Sequence, residues 1–366
     1  MSSSRPRLVV AGGGTGGHLF PGIAIAKRVC ETFPETRVLF IGTDRPFEKE
    51  QVAKAKFYHS VSGATGIKGL GWQKKLKAAV RIPLSVLNCM VKLIRFRADA
   101  VVGVGGFSSG PVILAAWLLR RPVVLHEQNS VPGIANRLAA RFAKRIFITF
   151  PESEAFFPEG KCTLSGNPVR DEILQAAKRP PQADKPTTLL VAGGSQGARG
   201  INKAITQALT ELKALNIQII HQCGENDLSK VKEAYQKAEI SASVTPFIQN
   251  MHEAFEKADL IVGRAGATTL SELMVMGKPS ILVPFPQATD NHQEKNGRYL
   301  EKAGAARVIL ESELEEGVLS EAVQSLLADP EALSAMGKAA RSLAMEEADR
   351  TVADAIVQLM GQETKP

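Results

Sequence analysis

The chain has few of the residues that mark disulfide frameworks and metal centres. Its four cysteines, at positions 30, 89, 162 and 223, are far apart and form no CxxC pair. Neither an HExxH nor a DxD motif occurs. These absences argue against disulfide pairing and a metal site, and isolated cysteines are typical of a reducing compartment.

Long apolar runs are also missing. No uncharged apolar stretch approaches the roughly 20 residues that a membrane-spanning helix needs. The opening residues, MSSSRPR, lead directly into a strand pattern without the hydrophobic core of a secretion signal. We therefore expect a cytoplasmic chain. Its 366 residues, of which 44% are hydrophobic, suffice for two domains with cores of their own.

Aromatic residues make up only 5% of the chain, and acidic residues are absent from one long segment. Residues 51–98 carry ten Lys or Arg and no Asp or Glu, within a net charge of +8. So few aromatics argue against base stacking, and we expect no nucleic-acid partner. Apolar residues between the charges favour contact with an anionic membrane surface over the alternative, a solvated basic face. The candidate contact residues are Ile67, Lys68, Leu70, Trp72, Lys74, Lys75, Leu76 and Arg81.

What the sequence does contain is a glycine-rich segment that occurs twice. Residues 8–18 read LVVAGGGTGGH, and residues 189–199 read LLVAGGSQGAR. Each is an apolar run followed by glycines and a helical pattern, which is typical of a buried parallel strand turning into a helix. Glycines let the backbone approach a phosphate, and the N–H groups of a helix start favour an anion. Two such units predict two nucleotide-binding folds facing a cleft.

Strand and helix patterns alternate along the chain, which predicts the α/β class with two Rossmann-like parallel-sheet domains. Runs rich in Val, Ile and Leu without polar alternation are typical of parallel sheets covered on both faces. A polar, proline-containing stretch at residues 175–186 is the predicted linker. The predicted strands cover residues 8–11, 37–41, 100–104, 122–125, 145–148, 188–192, 218–222, 260–262 and 280–283.

The first glycine loop admits two interpretations. Gly12, Gly14 and Gly17 satisfy GxGxxG, which also fits dinucleotide binding with Asp44 as the ribose-binding acid of a dehydrogenase. His18 follows the glycines directly, where a histidine can serve as a base or be merely structural.

Further polar loops follow predicted strands, on the side where open parallel sheets bind ligands. Residues 126–133, HEQNSVPG, suit a hydroxyl-rich ligand, and Ser195 in the second glycine loop offers a hydroxyl to a phosphate. Residues 263–272 open a helix in which the carboxylate of Glu272 could accept both hydroxyls of a ribose. Residues 290–296 form another polar loop after a strand.

Together these motifs resemble those of the MurG family of UDP-N-acetylglucosamine transferases. The matching segments are GGGTGGH (12–18), HEQNSVPG (126–133), GNPVR (166–170), GGSQGA (193–198), GRAGATTLSEL (263–273) and DNHQ (290–293). The resemblance covers nearly the whole chain and implies a two-domain GT-B fold. It also implies inverting, metal-independent transfer of N-acetylglucosamine (GlcNAc) without a cofactor. The acceptor would be the C4 hydroxyl of the muramoyl sugar in undecaprenyl-pyrophosphoryl-MurNAc-pentapeptide (lipid I), giving lipid II for peptidoglycan.

The resemblance further implies the roles of individual residues. His18 is the first choice for the catalytic base, by position, and Glu127 is the second. Arg170 and Ser195 would hold the diphosphate, the backbone at residue 248 would read the uracil, and Glu272 would bind the ribose. The implied donor-binding set is Thr15, Gly16, Gly17, Asn129, Arg170, Ser195, Ile248, Ala267, Thr268, Thr269, Leu270, Ser271, Glu272 and Gln293.

Domains, location and partners follow from the same resemblance. Residues 1–165 would bind the acceptor and the membrane, with a helix at about 345–366 packing back on them, and residues 166–344 would bind UDP-GlcNAc. Trp72 and Trp117 are candidates for the interfacial patch of a peripheral enzyme on the cytoplasmic face of the inner membrane. Proteins of cell-wall synthesis or division are candidate partners. Another GT-B glycolipid transferase and a UDP-GlcNAc 2-epimerase-like enzyme remain alternatives, since they would share the donor loops.

Overall fold

The computed structural model describes residues 5–64, 72–180, 185–194, 196–315 and 317–361. In the helix that begins at residue 72, it describes side chains only from residue 82 onward. The described residues form two compact units. Unit 1 comprises Met1–Arg170 and Met345–Pro366, and unit 2 comprises Asp171–Ala344.

Unit 1 is built on a seven-stranded sheet in which all pairings are parallel and the order is β3-β2-β1-β4-β5-β6-β7. Its strands are β1 (Arg7–Gly12), β2 (Arg37–Gly42), β3 (Tyr58–Val61), β4 (Ala100–Gly105), β5 (Val123–Glu127), β6 (Arg145–Ile148) and β7 (Cys162–Leu164). Its first five helices are α1 (Gly16–Thr32), α2 (Pro46–Lys54), α3 (Trp72–Phe96), α4 (Ser109–Leu118) and α5 (Ile134–Ala139).

Unit 2 repeats this plan with a six-stranded parallel sheet in the order β10-β9-β8-β11-β12-β13. Its strands are β8 (Thr188–Ala192), β9 (Gln218–Gln222), β10 (Ala242–Thr245), β11 (Leu260–Gly263), β12 (Ser280–Leu282) and β13 (Arg307–Val308). Its helices are α6 (Asp171–Ala176), α7 (Arg199–Gln207), α8 (Leu209–Lys213), α9 (Leu228–Lys237), α10 (Met251–Lys257), α11 (Ala267–Met276), α12 (His292–Lys302), α13 (Val318–Leu327) and α14 (Pro330–Ser342). Short 3-10 turns cover Ala140–Phe142, Pro151–Phe156, Glu225–Asp227, Thr289–Asn291 and Glu311–Glu313.

The strand β1 shows why these sequences form covered parallel sheets. Leu8, Val9, Val10 and Ala11 are all fully buried. Because side chains alternate between the faces of a strand, Val9 and Ala11 pack in the core that includes α3 and α4. Leu8 and Val10 pack in a second core with α1. Apolar residues are therefore needed at every position.

The chain returns to unit 1 after α14. Helix α15 (Ala348–Leu359) packs against α1, and its Val352 and Ile356 are fully buried in the core of that face. Asp349 adds an ion pair to Arg28 at 2.8 Å.

The predicted linker is wrong. Residues 175 and 176 end α6, which buries Ile173 and packs against α10 and α11 within unit 2. The packing of Ile173 places α6 in unit 2, although the sequence that follows the helix is polar. The chain passes between the units instead at Arg170–Asp171 and at Ala344–Met345. The predicted fold class, two Rossmann-like parallel-sheet domains, is confirmed.

Candidate functional site

The duplicated glycine loops occupy equivalent places in the two units. Open parallel sheets bind ligands beside the carboxyl ends of strands, where the strand order reverses. In unit 1 that point lies between β1 and β4, and in unit 2 between β8 and β11. The first glycine motif follows β1 and the second follows β8. Each unit thus carries its motif at the edge where open parallel sheets commonly bind ligands.

The first loop needs glycine because the ends of β1 and β4 approach each other closely. Gly12, Gly13 and Gly14 have φ angles of 133°, 148° and 92°, which other residues rarely adopt. A Cβ atom on Gly12 would collide with the carbonyl oxygen of Gly105. Helix α1 then begins at Gly16, and its first turn carries no Asp or Glu. The helix start therefore favours an anion.

A buried carboxylate, Glu48, fixes the shape of this loop. It accepts hydrogen bonds from the Gly14 N–H at 2.7 Å and from the Thr43 hydroxyl at 2.6 Å and N–H at 2.9 Å. Burial raises the pKa of Glu48, but bonds from His59, Thr43 and Gly14 outweigh burial and lower the pKa overall. Sequence analysis missed this residue, since α2 gives no sign that its carboxylate turns inward.

His18 is half-buried at the start of α1 and belongs to a hydrogen-bonded row of side chains. Its Nδ1 lies 2.9 Å from the Oε1 of Gln128. The Nε2 of Gln128 contacts the Val104 carbonyl at 3.0 Å and the Nδ1 of His126 at 3.0 Å. The Nε2 of His126 lies 3.0 Å from the Gly166 carbonyl. The strand ends of β4 and β5 thereby hold the imidazole of His18.

Glu127, the second candidate base, is buried and turned toward its own loop. Its Oε1 accepts from the Asn129 N–H at 2.9 Å, and its Oε2 accepts from the Asn136 side chain at 2.8 Å and the Gly133 N–H at 3.3 Å. Burial raises the pKa of Glu127, partly offset by these hydrogen bonds and by His18. The carboxylate shapes the loop that follows β5.

The other candidate residues of unit 1 surround these loops. Thr15, the N-cap residue of α1, is exposed, and Gly16 and Gly17 form the first turn. Asn129 is half-buried, and its side-chain nitrogen lies 3.4 Å from Glu127. Arg170 places its guanidinium 5.2 Å from the ring centroid of Phe20 in α1.

The second glycine loop is tightly packed as well. Gly197 has a φ angle of 74°, and a Cβ atom there would collide with the carbonyl oxygen of Cys223. Gln222, at the end of β9, donates from its side chain to the Gly194 carbonyl at 2.9 Å. Ser195 lies outside the described residues.

The start of α11 lies beside that loop's strand, at the other border of the reversal point in unit 2. Gly266 is the N-cap residue, and residues 267–269 include no Asp or Glu, so their N–H groups favour an anion. Glu272 is buried one turn later. Leu270 is fully buried, and the Ser271 hydroxyl donates to the Ala267 carbonyl at 2.9 Å. The side chains of these two residues therefore pack inside unit 2.

Arg264 braces the loop that precedes α11. Its guanidinium donates to the carbonyls of Val283 and Pro284, each at 3.1 Å, and pairs with Glu311 at 2.6 Å. The loops after β11 and β12 are thereby tied together.

The remaining donor candidates of unit 2 lie on separate loops. Ile248 is half-buried in the loop after β10. Gln293, in the first turn of α12, accepts from the Phe285 N–H at 3.0 Å through its Oε1. Its amide nitrogen is therefore the end that can donate to a ligand.

The basic segment is amphipathic on its described part. Helix α3 buries Val86, Cys89 and Leu93 against the sheet. It exposes an apolar stripe at helical spacing, here called the α3 stripe: Leu84, Leu87, Val91 and Ile94. Trp117 in the neighbouring α4 is 48% exposed. Of the predicted contact residues, Ile67, Lys68 and Leu70 lie outside the described residues, as do the side chains of Trp72, Lys74, Lys75, Leu76 and Arg81.

The structure also locates the groups that a metal site or a dinucleotide site would use. Within the described ranges, no three His, Cys, Asp or Glu side chains come together as metal ligands, and no helix is long and apolar enough to cross a bilayer. The side chain of Asp44 is 75% exposed and forms an ion pair with Lys49.

Comparison with known proteins identifies the family. Models of the glycosyltransferase family 28 N-terminal and C-terminal domains match residues 8–148 and 188–356. Relatives from Myxococcus xanthus and Desulfotalea psychrophila are 44% and 42% identical over 98% of this chain, and the matches cover 94% and 98% of those proteins. Both are named UDP-N-acetylglucosamine–N-acetylmuramyl-(pentapeptide) pyrophosphoryl-undecaprenol N-acetylglucosamine transferase.

Solved structures agree. The crystal structure of MurG from Acinetobacter baumannii matches with a TM-score of 0.78 and 31% identity, covering 96% of this chain and 99% of that one. A UDP-GlcNAc 2-epimerase from Neisseria meningitidis, bound to UDP-GlcNAc, matches with a TM-score of 0.69 but 14% identity over 96% of this chain and all of that one, which shows a common fold alone. Given such identity to curated relatives over nearly its whole length, the chain belongs to the MurG family within glycosyltransferase family 28.

Proposed function

We propose that this protein transfers GlcNAc from UDP-GlcNAc to the C4 hydroxyl of the MurNAc sugar in lipid I, forming lipid II for peptidoglycan. The observation that carries this proposal is identity of 44% over 98% of the chain to a relative named for that transfer. The two ligand-binding edges, each with a glycine loop and a helix start, suit a substrate that contains a diphosphate.

The reaction is a single in-line displacement. The acceptor oxygen attacks the anomeric carbon as the bond from that carbon to the UDP oxygen breaks, so the configuration inverts. A base takes the hydroxyl proton, and UDP leaves with the electron pair of the broken bond. The developing charge on the diphosphate would be stabilised by glycine-loop N–H groups and helix starts, without a divalent metal.

His18 is the base in this proposal. Its ring is half-buried at the start of α1 and one nitrogen is already held by Gln128. Glu127 is the weaker candidate because both of its carboxylate oxygens accept hydrogen bonds from its own loop. A neutral imidazole also offers a ring nitrogen with a lone pair, which suits proton transfer.

Unit 2 supplies the nucleotide contacts. The start of α11, residues 267–269, would face the diphosphate together with Ser195, and the buried Glu272 would accept the ribose hydroxyls. Backbone groups at Ile248 would read the uracil, and the amide nitrogen of Gln293 would donate to the sugar. From unit 1, Thr15, Gly16, Gly17, Asn129 and Arg170 are assigned to the sugar and diphosphate.

The α3 stripe and Trp117 are the proposed membrane contact. The acceptor carries a lipid, and the α3 stripe exposes apolar side chains within a segment, residues 51–98, that has no acidic residues. Basic residues near an anionic surface contribute about 1 kcal/mol each, so a few would give reversible docking. The enzyme would then act as a peripheral protein on the cytoplasmic face of the membrane.

A transfer assay with UDP-GlcNAc and a short-chain lipid I analogue tests the activity directly. We expect a disaccharide product and stoichiometric UDP release, unchanged by a chelator. Incubation without acceptor separates the alternatives, since a 2-epimerase would convert UDP-GlcNAc without any lipid. Transfer to other glycolipids but not to lipid I would indicate a different glycolipid transferase. Loss of transfer on chelation would contradict the metal-independent mechanism.

A further inference from the structure

We propose that Gln128 is a positioning residue that fixes the tautomer of His18, with the proton on Nδ1 and the lone pair on Nε2. The inference rests on the proposed function, in which His18 is the base. It assigns the proton-accepting atom, and it gives a role to a residue that does not itself need to touch the substrate.

The argument begins at His126, at the buried end of the row. This histidine is fully buried, and burial lowers its pKa to about 4, so the ring is neutral at pH 7 and carries one N–H. Its Nε2 lies 3.0 Å from the carbonyl oxygen of Gly166. A carbonyl oxygen only accepts hydrogen bonds, so the proton must be on Nε2. The Nδ1 of His126 is therefore an acceptor.

The amide of Gln128 is oriented by two acceptors. One of its ends lies 3.0 Å from the Val104 carbonyl oxygen and 3.0 Å from the Nδ1 of His126. Only the NH2 end can donate to both, because the amide oxygen would face two lone pairs. Gln128 is buried, so a reversed amide would leave these groups without hydrogen bonds from water. The Oε1 of Gln128 must therefore face His18.

The orientation of Gln128 then sets the proton on His18. Its Oε1 lies 2.9 Å from the Nδ1 of His18, and an amide oxygen only accepts. A neutral His18 consequently carries its proton on Nδ1 and presents the lone pair on Nε2. When Nε2 takes the proton of the acceptor hydroxyl, the Nδ1–H bond to Gln128 becomes charge-assisted and therefore stronger. The row favours the protonated product of that step without supplying a charge of its own.

Glu127 and Glu48, the buried carboxylates described above, bond to partners other than His18. Glu127 directs its carboxylate oxygens at Asn129, Asn136 and Gly133. Glu48 directs its oxygens at Thr43, Gly14 and His59. The hydrogen bond that the Nδ1–H of His18 donates to the Oε1 of Gln128 therefore distinguishes the two ring nitrogens.

Nitrogen-15 spectroscopy of the full chain with labelled histidines tests this assignment without an activity measurement. The His18→Ala variant identifies the signals of His18. At a pH where the ring is neutral, we expect the Nδ1–H tautomer for His18 and the Nε2–H tautomer for His126. A wild-type His18 that carries its proton on Nε2 overturns the proposal, whatever the variants do. Gln128→Leu is expected to produce a mixture of tautomers at His18.

Kinetics provide the second readout. Gln128→Leu should lower kcat about 10- to 100-fold with less than a twofold change in the KM for UDP-GlcNAc, a loss like that for replacing the hydrogen-bond partner of a metal-bound histidine. In a His18→Ala background the same substitution should cost less than twofold. Ser153→Ala, which removes a buried hydroxyl bond to the Phe150 carbonyl at 2.6 Å, is the matched control and should retain kcat.

The outcomes separate the two proposals. The expected tautomers in a protein that transfers no GlcNAc would leave the row intact and refute the proposed function. Full activity with Gln128→Leu, or an additive loss in the double variant, would refute the role of Gln128 while leaving the transferase activity untouched.

Discussion

At the scale of single residues, burial and the nearest acceptor decide what each polar side chain can do. Glu127 and Glu48 are buried carboxylates whose oxygens hold loops in place. His18 differs because it is only half-buried and one of its ring nitrogens is held. The sequence places His18 and Glu127 in loops that follow predicted strands, but it cannot tell a loop-shaping acid from a reactive one.

His18→Ala is the first prediction at this scale. General-base catalysis typically contributes about 10²- to 10⁴-fold to the rate, so kcat should fall within that range. The KM for UDP-GlcNAc and its protection against thermal unfolding should stay within about twofold. Steady-state transfer assays check this, and near-wild-type turnover would remove His18 from the mechanism.

The substitution Glu272→Gln gives the second prediction at the scale of single residues. The substitution keeps the size of the buried side chain but removes the negative charge that would bind the ribose hydroxyls. Hydrogen bonds to charged groups contribute about 1.5–3 kcal/mol, so UDP affinity measured by calorimetry should fall at least about tenfold. Gln293→Ala offers a contrast, since it should affect UDP-GlcNAc more than UDP. Unchanged UDP affinity in Glu272→Gln, with a normal unfolding temperature, would contradict the ribose assignment.

Sequence patterns identified the loops of the candidate site better than they identified its supporting residues. Glycines and polar loops after strands are local signals, and they led to His18, Glu127 and Glu272. Glu48 and Gln128 act through partners many positions away, such as Gly14 and Val104. Such pairings exist only once the strands are side by side, so spacing along the chain does not contain them.

At the scale of secondary structure, the strands that sequence analysis missed share one property. They are β3, β7, β10 and β13, which form the outer edges of the two sheets. An edge strand has one neighbour and is partly exposed, so it does not need a continuous apolar run. Residues 162–164 of β7, for example, are exposed or half-buried. The central strands are largely buried and each contains Val, Ile or Leu, and all of them were predicted.

The α3 stripe gives the prediction at this scale. Leu87→Asp combined with Val91→Asp should weaken binding to anionic vesicles at least about tenfold, because each loses apolar contact and adds repulsion. Sedimentation with vesicles of phosphatidylglycerol and phosphatidylcholine measures this. Both side chains are exposed, so folding should be unaffected.

A matched control lies in the same unit. Leu164→Asp changes an exposed apolar residue of β7 away from the stripe and should bind vesicles like the wild type. Equal binding of the double variant and the wild type would exclude the α3 stripe as the membrane contact.

At the scale of the whole molecule, each unit encloses one neutral histidine, and this predicts acid sensitivity. Burial lowers the pKa of His126 and of His221 from 6.5 to about 4. The unfolded chain therefore binds more protons than the folded one between these values. Stability should be intact above pH 6.5 and fall progressively toward pH 4, by on the order of 3 kcal/mol for each histidine.

Urea unfolding at several pH values checks this. His221→Gln removes the buried titrating group of unit 2 and should reduce the loss of unfolding free energy between pH 6.5 and pH 4. Identical pH dependence in the wild type and His221→Gln would contradict the burial argument.

The return of α15 to unit 1 has a consequence for how the protein is made. Topologically, unit 2 is an insertion within a discontinuous domain, since residues on both sides of it build the core around β1 and α1. A ribosome adds about 5–20 residues per second, so on the order of ten seconds or more separate the synthesis of the first part of unit 1 from that of α15. During that interval the groove that receives Val352 and Ile356 is open to water. All residues of the inserted domain are therefore synthesised before the domain that begins the chain is complete.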